Sequence, residues 1–157
     1  MKLTENQLKQ WLELFPTITQ EIIRLQIQLR EAKSLQEEYI SIPIANLEES
    51  PIQTGQVSDP TYRNYEKITA KYGSEIAEIE DEIDDLLNTR SKVRQMMKWL
   101  KYNGTRCERK LIYFKYFKQM TVNDLCYELK YERSNIGNIT KSALSKLLSF
   151  YNDKKNF

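Results

Sequence analysis

The apolar residues of this chain recur at helical spacing. Ile18, Ile22, Leu25, Leu29, Ala32, Leu35/Gln36 and Tyr39 follow one another in steps of four and three. That rhythm puts one apolar stripe along a helix and gives it the heptad form of a coiled coil. A longer stripe runs through Tyr65, Thr69, Tyr72, Ile76, Ile79, Ile83, Leu86, Arg90, Val93, Met97 and Leu100. After Pro60 no proline interrupts it and Gly73 is its one weak point, so the pattern predicts a helix of 43 residues over 60–102, about 65 Å long at the usual rise per residue. Such a helix cannot leave its stripe in water. An antiparallel hairpin against the 17–41 helix, or a second chain sharing the stripe, would cover it. The shorter helix is too short to cover all of the longer one, which points to a homodimer through Tyr72, Ile76, Ile79, Ile83 and Leu86. Arg90 breaks the stripe and marks the end of the coiled coil.

Capping boxes, in which a Ser or Thr and a residue three positions on cap each other, give the helix starts. Thr4 with Gln7 opens a short helix that ends before Pro16, Thr17 with Gln20 a second, Thr105 with Glu108 and Thr121 with Asp124 two more. Asp59-Pro60 supplies an N-cap and a first-turn proline. The second helix should stop near Ile42-Pro43. Residues 43–59, "PIANLEESPIQTGQVSD", with two prolines, a glycine and many small polar residues, read as a mobile loop. Gly104 reads as a left-handed helix stop.

Three short helices follow: about 106–118 with Leu111, Ile112, Phe114 and Phe117 inward, about 121–130 with Val122, Leu125, Cys126 and Leu129, and about 133–150 with Ile136, Ile139, Ala143, Leu144, Leu147 and Leu148. A short helix, a tight turn and a longer helix make the helix-turn-helix layout. With Ile136 inward and about 100° per residue, Ser134, Asn138, Lys141 and Ser145 lie on the opposite face, with Asn135 and Gly137 at its flanks. That face enters the major groove in a helix-turn-helix. Asn pairs with adenine and Arg with guanine through two hydrogen bonds, while Ser and Lys reach bases or phosphates.

Charge sharpens this picture. The net is +2 over 157 residues, but residues 1–59 carry −4, residues 60–102 zero and residues 103–157 +6. Residues 72–89 hold seven acids and no base, whereas residues 90–118 hold ten bases and only Glu108 as an acid. A basic C-terminal end is the footprint of polyanion binding. Catalysis finds little support. There is no histidine, and Cys107 and Cys126 have no zinc-ligand spacing. No phosphate-binding glycine loop or nucleophile elbow is present. A non-enzyme without cofactor or metal is expected. No apolar run approaches the roughly 18 residues of a membrane span and no signal peptide is visible, so a cytoplasmic location is expected.

The stretch "ERKLIYFKYFKQMTVNDLCYELKYERSNIGNITKSALSKL" resembles the fourth region of housekeeping-type sigma factors. The whole layout resembles the RinA/ArpU-type phage transcriptional regulators. Lys115-Tyr116 stand where the family has an Arg-Tyr-like pair, Thr121 at the helix cap, Leu125-Cys126 at an Ile-Ala pair, and Ala143-Leu144 at the closing pair. Two positions depart from the pattern: Lys130 replaces the usual turn glycine and Glu132 the usual Ser/Thr cap. The resemblance implies a regulator in the bacterial host cell that binds double-stranded promoter DNA, contacts host RNA polymerase and activates late genes.

The expectations are therefore an all-α fold, with a helical hairpin or coiled-coil arm over 1–103 and a sigma-like helix-turn-helix over 104–157. Arg133, Ser134, Asn135, Asn138 and Lys141 would read bases. Arg106, Arg109, Lys110, Lys115, Lys118 and Thr121 would hold phosphates. The rival expectation is a protein-interaction module that uses a degenerate sigma-like fold to bind polymerase or another regulator. A small terminase subunit ranks lower, because its DNA module would be expected first in the chain.

Overall fold

The computed structural model describes residues 2–48 and 60–153, with side chains over 2–38 and 66–153. All of its regular structure is helical. The helices are α1 (Glu5–Leu14), α2 (Ile18–Glu48), α3 (Pro60–Asn103), α4 (Arg106–Ile112), α5 (Val122–Leu129) and α6 (Arg133–Asn152), with a π-helical turn, Tyr113–Phe117, continuing α4. No helix among the described residues is long and apolar enough to cross a membrane.

Three of the expected capping boxes form: Thr4 with Gln7, Thr105 with Glu108 and Thr121 with Asp124. Thr17 does not cap α2 in this way. Its hydroxyl instead donates backward to the Leu14 carbonyl at 3.1 Å, which closes the tight turn from α1. α3 begins at Pro60 as its fixed backbone angle favours; Asp59 lies outside the described residues. The expected loop at 43–59 is corrected in part. α2 runs through Pro43 to Glu48, because proline removes one intrahelical hydrogen bond and disfavours, without forbidding, the helical conformation before it. Residues 49–59 lie outside the described residues.

α2 and α3 pair in the hairpin-like manner expected. The chain divides into two compact units, however, at places other than 103/104: residues 21–85 form one, and residues 1–20 with 86–157 the other. In the first, Ile22, Leu25, Ala32 and Ile83 are buried, and Lys33 bridges to Glu80 at 2.9 Å. In the second, one core joins Leu8 and Leu12 of α1, Val93, Met96 and Leu100 of α3, Ile112 and Tyr116, and Ala143, Leu144 and Leu147 of α6. Each fully buried leucine contributes roughly 1.5–3 kcal/mol relative to exposure. Phe15 stacks on Phe117 at 4.8 Å and Trp99 on Phe150 at 4.7 Å. The Asn152 amide seals the N-terminus by accepting from Leu3 N–H at 2.8 Å and donating to Leu3 C=O at 3.0 Å. Arg90 donates to the Thr19 hydroxyl at 3.2 Å, near the point where the second unit resumes.

Gly104 is a correction. No glycine among the described residues has positive φ. Gly104 instead continues the helical bonding, donating to Leu100 C=O at 2.9 Å, and lies so close that a Cβ would stand 2.5 Å from Leu100 Cδ1 and 2.9 Å from its carbonyl oxygen. Closeness, not handedness, requires glycine there.

Candidate nucleic-acid interface

The expected helix-turn-helix is built as α5, a turn over 130–132, and α6. A small core holds it: Leu111, Leu125 and Ile136 are buried together, with Phe114, Val122, Leu129, Tyr131 and Ile139 packed against them. Lys130 takes the left-handed conformation at φ 56°, ψ 40°, so lysine bears the geometry that glycine would adopt more easily. Next to it the Tyr131 hydroxyl lies 3.0 Å from Cys107 Sγ, tying the turn to α4. That contact raises the Tyr131 pKa above its ordinary value.

Glu132 is the N-cap of α6 in extended backbone, and its side chain makes no capping hydrogen bond. The N–H groups of the first turn are thus left to outside acceptors, the arrangement that attracts anions. Arg133, Ser134, Asn135, Asn138 and Lys141 are all exposed. Among the described residues none of these five side chains has a hydrogen-bond partner. Ile136, Thr140 and Ala143 face inward, and the Thr140 hydroxyl is satisfied by the Ile136 carbonyl at 2.8 Å. Open space surrounds the Cα of Gly137, with no atom within 4 Å of where a Cβ would stand.

The residues expected to hold phosphates divide. Arg106 and Lys118 are exposed, with the Lys118 ammonium 5.8 Å from the Tyr113 ring centre. Arg109 and Lys110 line a groove of about 550 Å³ beside Lys98 and Lys101 of α3. Thr121 is committed to its cap: its hydroxyl donates to Asp124 Oδ2 at 2.7 Å and accepts from Asp124 N–H at 3.2 Å. Lys115 is half-buried. Burial, with Lys9 of α1 nearby, lowers its pKa against the opposing pull of Glu13.

Three features are not legible in the sequence. Lys98 and Lys101 join the groove because α3 ends beside α4; their only signal was membership of the basic run. Tyr116 is buried four residues after Ile112 and in the same core, within the π-helical turn closed by Lys118 N–H donating to Tyr113 C=O at 3.0 Å. Burial, with Glu13 and Glu5 nearby, pushes the Tyr116 phenol up to about 12. The α4–α6 joint also holds a buried carboxylate. Glu108 accepts from Lys146 at 2.8 Å and from the Ser142 hydroxyl at 2.8 Å, and caps Thr105 N–H at 3.1 Å. Burial raises its pKa, but these donors together bring it below the ordinary 4.5.

No protein-family model, curated protein or solved structure matches the chain.

Proposed function

We propose that this chain is a phage or mobile-element transcriptional regulator that binds promoter DNA through α5 and α6 and activates late genes with host RNA polymerase. The observation that carries the reading is that Arg133, Ser134, Asn135, Asn138 and Lys141 of α6 stand exposed and, among the described residues, without hydrogen-bond partners. It follows a turn whose left-handed lysine preserves helix-turn-helix geometry. These side chains are of the types that read base edges. Arg106, Arg109, Lys110 and Lys118, which precede them in sequence, add positive charge of the kind that positions a protein on DNA without reading sequence.

The test is binding to promoter fragments over a salt series. Affinity should fall with a log–log slope of about −0.9 per phosphate neutralised. Asn138→Ala should relax preference at one or two base pairs by roughly 1–3 kcal/mol, whereas Arg106→Ala should weaken all sequences alike. Absence of binding at about 50 mM salt rejects the reading. It would favour the second one, a protein-interaction module. That reading draws support from Glu132, whose carboxylate stands at the α6 N-terminus where a phosphate would lie, and from the acids of residues 72–89, exposed on α3.

A further inference from the structure

We propose that the groove between the last turns of α3 and the outer face of α4 binds a short segment of single-stranded nucleic acid, separately from the duplex face of α6. Four cations stand around it: Lys98 and Lys101 from α3, and Arg109 and Lys110 from α4. Among the described residues none of the four has a salt-bridge partner. The single acid of the 90–118 run, Glu108, is only 4% exposed and bound to Lys146, so its charge is withdrawn from the groove. The cations are therefore free to face an anion, and there are more of them than one phosphate needs.

The uncharged lining decides the class of anion. It consists of Met97 and two tyrosines, Tyr102 and Tyr113, which are 72% and 43% exposed. Aromatic faces open to water beside one another in a cationic groove are suited to stacking. Lys101 lies 5.7 Å from the Tyr102 ring and Lys118 5.8 Å from the Tyr113 ring, so positive charge sits beside each aromatic face. An acidic amphipathic helix would need an aliphatic floor, and Met97 alone supplies one. Planar bases stack on planar rings while their phosphates follow a cationic rim, and this combination is the general means of holding a single strand without sequence preference. A duplex, with its bases already stacked on one another, cannot use the tyrosines. The groove volume, about 550 Å³, admits a base or two with the connecting backbone.

The experiment is fluorescence anisotropy of the full chain with a labelled oligothymidylate of about 12 nucleotides. Binding is expected at about 50 mM salt and should weaken as salt rises. Tyr102→Ala should weaken it about ten-fold or more. Lys98→Ala/Lys101→Ala should weaken it and flatten the salt dependence. Asn138→Ala should leave it unchanged. Tyr102 and Lys101 are exposed, so these variants are expected to fold, and circular dichroism checks this. The proposal is overturned if the oligonucleotide does not bind, or if Tyr102→Ala and Tyr113→Ala both bind as the intact chain does. It is also overturned if Asn138→Ala abolishes binding, or if thymidine monophosphate or polyglutamate competes as well as unlabelled strand. Loss of promoter duplex binding with retained strand binding would reject the α6 reading alone; the converse would reject the groove alone.

Discussion

At the scale of single residues, three positions turn local geometry into measurable stability. A methyl group at residue 104 would collide with the side chain and carbonyl of Leu100, and a backbone atom cannot swing aside as a flexible side chain does. Gly104→Ala should therefore destabilise the fold by roughly 1–3 kcal/mol, seen as a lower midpoint in thermal denaturation. Lys130 has the opposite expectation. Its left-handed backbone is strained for any residue with a Cβ, by about 1–2 kcal/mol. Lys130→Gly should raise the midpoint, by less than the full strain because glycine also gains freedom when unfolded. A midpoint that falls would mean that the lysine stem holds the turn. Glu108 links stability to acid. Its folded pKa lies below 4.5, so its contribution is fully present above that value and is lost as pH falls through the lower folded one. Denaturation midpoints measured from about pH 6 down to about pH 3 should fall less steeply for Glu108→Gln than for the intact chain. Equal slopes would assign the acid sensitivity to other carboxylates.

At the scale of elements, α3 has two different neighbours along its length. Its stripe buries Ile83 within the unit formed by residues 21–85, and Val93, Met96 and Leu100 within the other. The inward residue of the second stretch is Met96, with Met97 only partly buried. The stripe thus finds more cover inside one chain than the length of the 17–41 helix implied. Of the residues expected to form a dimer interface, Tyr72, Ile76, Ile79 and Leu86 are half-buried and Ile83 is buried. Large apolar side chains left in water stand on α2 at Ile23 and Ile27, four residues apart and so on one face. If the homodimer expected from the sequence forms, this face is a natural seam for it. Light scattering at micromolar concentration should then give a dimer mass that Ile23→Glu/Ile27→Glu reduces to a monomer with helicity retained. Ile83→Glu should instead lose helicity, since it places a charge inside the hairpin. A monomer mass for the intact chain rejects the dimer.

At the scale of the whole molecule, the features that repeat along the chain were legible in its sequence and those made by distant neighbours were not. Heptad spacing, three capping boxes and the tight turn before Arg133 are local, and they determined an all-helical chain, most helix starts and the outward face of α6. Each depends on residues within one or two turns of one another, where backbone geometry dictates which side chains meet. The tertiary structure decided the rest. It carried α2 past Pro43, made Gly104 a matter of clearance, and set Tyr116 into the core shared by α1, α3 and α6. In sequence Thr121 fits either a phosphate ligand or a helix cap; in the fold its hydroxyl is already engaged by Asp124. Glu108 and Lys146 are 38 residues apart, and no spacing rule joins them. The groove of Lys98, Lys101, Arg109 and Lys110 exists only because a close turn at Gly104 brings the end of one helix beside the start of the next. Sequence periodicity fixes which face of a helix is apolar; which neighbour covers that face, and which charges gather beside it, follows from the packing of separate helices against one another.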